Sequence, residues 1–436
     1  MPAYIALLLG AYVVTVWKKP YWGIYLILAF LPVYQVRFSF AKIPTTLLEW
    51  MILLLAAMVL FKLFMNKDYR LEISKKITLA IKIAPGFFAT SALLLLAGLI
   101  SVFVSPHLAK ALGLYKAYYI EGFLFLSLFW LLIDSREKFW SALKALVVLV
   151  VYLSVFGILQ LFTLYRLPPA WWGPGLEPRR IVSFYTYPNA TSLLIAPVLG
   201  LYAGLLIFFS EIKAKLKGET PLSRRFLLWV NGLGTLLLIL TFSRGAWIGY
   251  VAAIGFLSLF SRYKKYVFAS LLVTAIAITI IPATRNRLAP LISGTDPASF
   301  ERVKLYSGAW EIIQHSPLTG AGLYGFRDAY EQVKKSESDE ILNYPHNFFL
   351  NFWVETGFVG VAAATALVMI AFWQAIRLYK TKPELRPVVL SICSGLVVLL
   401  VHGQVDAPFF KNDLSLLFWL FVGAIPYLNF LQKKDG

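Results

Sequence analysis

Cysteine, histidine and acidic side chains are scarce: one cysteine, four histidines and 22 aspartates and glutamates serve 436 residues. The lone Cys393 excludes an intramolecular disulfide and leaves the redox compartment unread. Four scattered histidines with no H-E-x-x-H motif make no metal site, and no Asp-rich pair falls on the outer segments identified below. Metal-assisted transfer is therefore unsupported, and no cofactor is expected. Charged residues make up only 14% of the chain, whereas a soluble domain carries about a quarter. What is abundant is apolar: 59% of residues are hydrophobic and the mean hydropathy is +0.72. The length would allow two or three soluble domains, but apolar runs recur almost from end to end. The fold class expected is all-α, a single integral membrane domain over residues 1–436. The N-terminus has no basic n-region and no small-residue cleavage site, so residues 3–16 read as a first span rather than a removed signal peptide.

Apolar runs occupy about 3–16, 21–35, 44–64, 85–104, 111–133, 141–163, 190–210, 226–242, 245–261, 266–282, 347–377, 387–402 and 413–430. A span needs roughly 20 residues, and several runs are shorter, so a polytopic protein of 12–13 transmembrane helices is expected. The net charge of +19 would suit nucleic acid, but the basic residues are dispersed through short loops between apolar runs. One alternate set of loops, from Lys18 and Lys19 to Lys433 and Lys434, holds more than half of the 41 lysines and arginines. By the positive-inside rule that set is cytoplasmic, and so is the C-terminus. The partner is then a lipid bilayer and not nucleic acid. Two outer, or periplasmic, segments are long enough to hold structure: 164–189, and 283–345 with a helix expected near 297–315. Asp296-Pro297 reads as an N-cap followed by proline at the first helical position, and Pro317 stops the helix.

Candidate residues fall on that outer side. Arg244 lies in Thr241-Phe-Ser-Arg-Gly-Ala-Trp-Ile-Gly249, between two runs whose combined length suits a hairpin. It is either a snorkelling arginine at a helix end or a ligand-binding group. Arg180, in Arg179-Arg-Ile-Val-Ser-Phe-Tyr-Thr-Tyr-Pro-Asn189, is an interfacial residue or a diphosphate contact, while Trp171 and Trp172 fit the aromatic belt. Along 297–315, Phe300, Val303, Ser307, Trp310 and Ile313 share a stripe that would rest on the membrane surface or the bundle. Arg302 and Lys304 lie off it, on a face that is solvated or functional. Gly320-Ala-Gly-Leu-Tyr-Gly325 has dinucleotide-motif spacing but follows a helix and Pro317 instead of a strand, so it reads as a tight turn. His346, at the mouth of the apolar run from 347, is a general base or a structural interfacial histidine. Glu355 lies about 13 Å deeper at helical rise, and helix packing is the simpler account of it. His402 and Asp406, at i and i+4, read as a structural hydrogen-bonded pair. Arginine holds its charge and binds phosphate bidentately, so Arg180, Arg244, Arg302 and His346 on one side suit a lipid-diphosphate leaving group with a hydroxyl nucleophile.

The order of these motifs resembles the O-antigen ligase and polymerase family of bacterial polytopic membrane glycosyltransferases. The matching pieces are Arg180 to Asn189, Ser243-Arg-Gly-Ala-Trp247, Arg302 through Trp310 to Pro317-Leu-Thr-Gly-Ala-Gly322, His346-Asn-Phe-Phe-Leu350 and Glu355-Thr-Gly-Phe-Val-Gly360. They cover roughly residues 175–430. The resemblance implies an inner-membrane enzyme with a periplasmic site and an undecaprenyl-diphosphate-linked glycan donor, acting by metal-independent, inverting transfer. It further implies that Arg244 and Arg302 neutralise the diphosphate, that Arg180 assists donor binding, and that His346 orients or deprotonates the acceptor hydroxyl. Ligases to lipid A core, polymerases that extend a glycan or exopolysaccharide, and protein-glycosylating relatives share these motifs. From a different class, a transporter for a lipid-linked anion would need charges lining a path through the bilayer. Here the positive cluster stays at one face.

Overall fold

The computed structural model describes residues 2–173, 178–215, 222–280, 282–336 and 341–435. Residues 174–177 and 337–340 of the two expected outer loops, and 216–221 with the basic Lys217, lie outside the described residues. The architecture is all-α. The N-terminal half consists of α1 (Ala3–Lys18), α2 (Tyr21–Ala29), α3 (Leu47–Met65), α4 (Lys67–Ile83), α5 (Pro85–Val104), α6 (Leu108–Leu114), α7 (Glu121–Leu132) and α8 (Arg136–Thr163). Then follow α9 (Pro188–Ile207), α10 (Phe209–Lys215), α11 (Arg224–Leu240), α12 (Arg244–Phe260), α13 (Lys264–Ile280) and α14 (Pro282–Ile292). The remainder is α15 (Pro297–His315), α16 (Phe326–Val333), α17 (Phe348–Thr381), α18 (Arg386–His402) and α19 (Asn412–Asp435). Six of these, α3, α5, α8, α9, α17 and α19, are long and apolar enough to cross a membrane, and α1, α12 and α18 are shorter apolar helices. Every apolar run is helical, but not every run is one long helix. Pro32 closes the 21–35 run in a 3-10 turn after only nine residues of α2. The 111–133 run passes through a π-helical turn at Tyr115–Ile120. Helices α11 and α13 stop at 17 residues, about 25 Å at helical rise.

Large apolar side chains such as Leu7, Leu60, Phe64, Phe103 and Phe162 are exposed around the bundle. Water would oppose that distribution, whereas lipid satisfies it; the helical ladders meanwhile satisfy their own backbone groups. At the centre lies α9, buried along nearly its whole length. It reaches α18 through Gly204, where an added Cβ would come within 2.6 Å of the Ser391 Cα. Small residues let two backbones approach this closely in a membrane bundle. Among the described residues the only strands form a hairpin, β1 (Arg37–Phe40) antiparallel to β2 (Ile43–Thr46) with Arg37 opposite Thr46. Its two-residue turn places Ala41 and Lys42 at positive φ.

Helix α17 is bent, and the bend positions the site. Gly357 has φ 66° and ψ −172°, a backbone region essentially closed to other residues. Pro317 O accepts a hydrogen bond from Phe358 N (3.0 Å) and another from Trp353 Nε1 (2.9 Å). Ala321 N returns one to Val354 O at 2.6 Å. The Pro317–Gly322 strap is thereby tied into the bend, which fixes α15 relative to α17. The Gly320-to-Gly325 motif is indeed a turn, with Gly320 and Gly322 at positive φ. A Cβ at position 357 would sit 1.9 Å from Leu318 O. Gly357→Ala is expected to destabilise the fold by about 3 kcal/mol or more, read as a lower melting temperature and poorer yield in detergent. A wild-type melt would remove the strap from this account.

The helix α15 begins as its sequence dictates: Asp296 caps it by accepting from Ser299 N at 2.9 Å. Of the expected stripe, Ile313 packs on the bundle and the rest faces outward, the side on which a membrane surface would lie. Leu305, Ala309, Ile312 and Ile313 face Phe326 and Tyr330 of α16 and Val354 of α17, while Phe300, Val303 and Trp310 are exposed. The sequence offers two apolar rows about a turn apart, and the neighbouring helices select between them.

Candidate active site

The ends of α9, α12, α15 and α18 converge on a cavity of about 380 Å³. Arg180, Arg244 and Arg302 all line it, together with Asn189, Tyr306 and Asp406. Each arginine arrives by a different route. Arg180 ends the chain that enters α9; its Nε donates to Thr241 O at 3.0 Å and its guanidinium to Asn189 Oδ1 at 3.1 Å. The Trp171 ring lies 5.0 Å from Arg180 Cζ, so this tryptophan orders the arginine in addition to any interfacial role. Arg244 opens α12 after the turn through Phe242, whose φ is 49°. Arg302 comes from the second turn of α15, and its Nε donates to Val405 O at 3.0 Å. Lys304, on the same helix, pairs with Glu301 at 2.9 Å and belongs to the surface.

Arg244 forms a two-pronged pair with Asp296, its Nη1 and Nη2 donating at 2.9 and 2.8 Å. The two side chains are 10% and 8% exposed. Burial works to raise the Asp296 carboxyl, but the Arg244 hydrogen bond and charge, with Ser299, outweigh it and bring it down to about 2. A depressed carboxylate contributes stability that is present above its unfolded value of about 3.9 and lost as pH falls through the folded one. Asp296→Asn is therefore expected to melt lower than wild type by a margin that stays constant between pH 8 and 5. That margin shrinks only below about pH 4. A margin that shrinks between pH 8 and 5 would contradict the pairing. The same aspartate thus caps α15 and ties it to α12, a double use not visible from the capping motif alone.

His346 stands just beyond the cavity wall. Its Nδ1 lies 3.0 Å from Asp406 Oδ1, and its side chain is 26% exposed. Its backbone has φ 52°, and Tyr306 Oη, which donates to Gln404 O at 2.7 Å, lies 3.2 Å from His346 O. Next in the chain, Asn347 caps α17 by accepting from Phe349 N and Leu350 N. Asp406 is the residue the sequence reading misplaced. It makes no pair with His402; its Oδ1 faces His346 and accepts from Ala407 N (2.9 Å), and its Oδ2 accepts from Asn189 Nδ2 at 3.2 Å. The i,i+4 rule fails because α18 ends at His402, and the chain turns at Gly403 before Asp406. His402 Nδ1 is left buried with no hydrogen-bond partner. Burial tends to raise the Asp406 carboxyl, but the hydrogen bond from His346, helped by the Ala407 amide, prevails and holds it well below the ordinary carboxylate range. A continuous polar row results, Arg180–Asn189–Asp406–His346, drawn from three separate stretches of chain.

Glu355 lies away from this row. It is buried beside the α17 bend, its main-chain carbonyl accepting from Ser101 Oγ and its carboxylate reached by the Tyr324 backbone N–H. Its Oε2 is buried with no hydrogen-bond partner.

The arrangement gives three fixed guanidinium groups on one concave surface with an oriented imidazole at its edge. Among the described residues no group of three or more His, Cys, Asp or Glu side chains is gathered as a metal site.

Fold and cavity together define a multi-pass membrane protein with an arginine-lined site at one end of its bundle. Over residues 229–365 the chain matches the family model described as O-antigen ligase, and it is O-antigen ligase-like there. The match supports a function of the O-antigen ligase or polymerase type in general. No curated protein matches the chain.

Proposed function

We propose that this protein transfers a glycan from an undecaprenyl-diphosphate carrier to an acceptor hydroxyl at the periplasmic face of the inner membrane. The single observation that carries the reading is the cavity lined by Arg180, Arg244 and Arg302, with the Asp406–His346 pair at its rim. The bias of basic residues toward the opposite end of the helices supports the periplasmic orientation.

Bond breaking at the anomeric carbon leaves a diphosphate, and its developing charge needs fixed cations. Arg302 and Arg180 present guanidinium groups anchored through main-chain carbonyls, and Arg244 presents a guanidinium fixed at the cavity wall by its pair with Asp296. Because both partners are fixed before any ligand arrives, little reorganisation is needed in the transition state. Asp406 is the acceptor in its bond to His346, so Nδ1 carries the proton and Nε2 keeps its lone pair. Nε2 takes the acceptor hydroxyl proton as the oxygen attacks from the face opposite the diphosphate, and the anomeric configuration inverts. Nothing in this sequence of steps requires a metal ion. The acceptor is a sugar hydroxyl, of lipid A core in a ligase or of a growing chain in a polymerase.

The test is release of undecaprenyl diphosphate by purified protein supplied with lipid-linked glycan and an acceptor extract, in EDTA and without nucleotide. Release with transfer of glycan is expected, and the product separates ligase from polymerase. Folded protein that releases nothing with any acceptor extract would overturn the reading in favour of binding or transport.

A further inference from the structure

At the end of the bundle opposite the arginine cavity, about 40 Å along α17 at helical rise, lies a second groove of about 580 Å³. It is bounded by the junction of α4 and α5, the last turns of α17 and the end of α19. Four cations line it, Lys82, Arg377, Lys382 and Lys433, and no carboxylate does so among the described residues. The first turn of α5 opens onto it, with Pro85 at the start of a 20-residue helix followed by Gly86 and Phe87. The unused amides there carry a partial positive charge. Gln374 also lines the groove; it is 6% exposed, and its Oε1 has no hydrogen-bond partner. Trp373 is 59% exposed, and Arg377 Cζ lies 5.9 Å from its ring. A tryptophan so placed marks the headgroup level of a bilayer. Ile370, half-buried, supplies apolar wall beside Trp373, with Phe87 fully buried behind it.

We infer that this groove is a binding site for the headgroup of an anionic glycerophospholipid, with the phosphodiester among the lysines and Arg377 and a headgroup hydroxyl donating to Gln374 Oε1. Basic recesses between helices at this membrane level suit such headgroups. The phosphate charge offsets four like charges gathered in one recess, and the acyl chains continue past Ile370 and the exposed Trp373 into the hydrocarbon. A free phosphate would satisfy the cations equally well. It would leave the apolar wall uncovered and Gln374 Oε1 unpaired. The site is independent of the chemistry proposed at the other end of the bundle.

Native mass spectrometry of the full chain in detergent tests this, with phosphatidylglycerol, phosphatidic acid, phosphatidylcholine and inorganic phosphate as the probes. One phosphatidylglycerol is expected to remain bound where phosphatidylcholine does not. The double variant Lys82→Gln/Arg377→Gln should weaken that binding by tenfold or more, and Lys18→Gln, on α1, should leave it unchanged. Gln374→Leu should reduce the preference for phosphatidylglycerol over phosphatidic acid, which lacks the headgroup hydroxyl. If the double variant does not fold, the single variant Lys382→Gln, at an exposed position, gives the same reading at smaller amplitude. Undiminished binding in the variants, equal retention of phosphatidylcholine, or displacement of the lipid by millimolar inorganic phosphate would overturn the inference.

Discussion

Replacing Asp406 with asparagine is expected to lower the rate of glycan transfer by on the order of 10³-fold, with the fold and the substrate KM little changed. Asparagine keeps the size of the side chain, and its Oδ1 can still accept from Ala407 N. The same oxygen faces His346 Nδ1, so the amide still accepts from the ring; what it loses is the negative charge that stabilises the imidazolium formed when Nε2 takes the acceptor proton. His346→Ala should cost a comparable factor, and the double variant little more than either single one, since the two groups act as a unit. The rate, measured as undecaprenyl diphosphate released per minute under saturating donor, decides the matter. A fully active Asp406→Asn would remove the charge-stabilising role from this aspartate. A fully active His346→Ala would remove the base. Because His346 sits at positive φ, where asparagine is well tolerated, His346→Asn is the better control against backbone strain.

Arg302→Ala is expected to reduce kcat/KM by on the order of 10²-fold or more, the scale seen when one preorganised donor to a developing anion is removed. Arg244 is in a buried pair with Asp296 and its removal would strand that carboxylate, mixing a folding defect with a catalytic one. Arg302 has no such entanglement: its Nε contact is to a main-chain carbonyl. Arg302→Lys should recover only part of the loss, since an ammonium keeps the charge but lacks the planar fork. Full recovery by lysine would mean that charge alone is used at this position. An unaffected Arg302→Ala would move the leaving-group site elsewhere in the cavity.

Much of the helical architecture could be read directly from apolar runs, because a membrane helix writes its length and its lipid-facing surface into composition. Helix α15 could be read from Asp296 and Pro297, a local signal with a local cause. The hairpin at Arg37–Thr46 could not, since its strands are four residues each and its turn lacks the usual glycine. For the site, sequence chemistry singled out the arginines and His346 because charge at a membrane edge is costly and therefore conspicuous. Their partners were hidden for a different reason. Asp406 lies 60 residues beyond His346, and Asp296 lies 52 beyond Arg244. Each also had a plausible nearby explanation, a helical i,i+4 pair for one and an N-cap for the other. The first explanation failed at a helix end, and the second proved true but incomplete. Trp171 was absorbed in the same way by the aromatic belt, although its ring also lies against Arg180.

The polar row from Arg180 through Asn189 and Asp406 to His346 also determines how far the protein can be divided. The stretch that carries the family match, 229–365, brings Arg244, Arg302 and His346. It leaves behind Arg180 and Asn189 on one side and Asp406 on the other. An excised piece of that length would display the family's motifs with the imidazole unanchored and a third of its guanidinium groups missing. Split halves of the chain, cut between α16 and α17 and expressed together, should restore activity only if α9 and α18 find each other again.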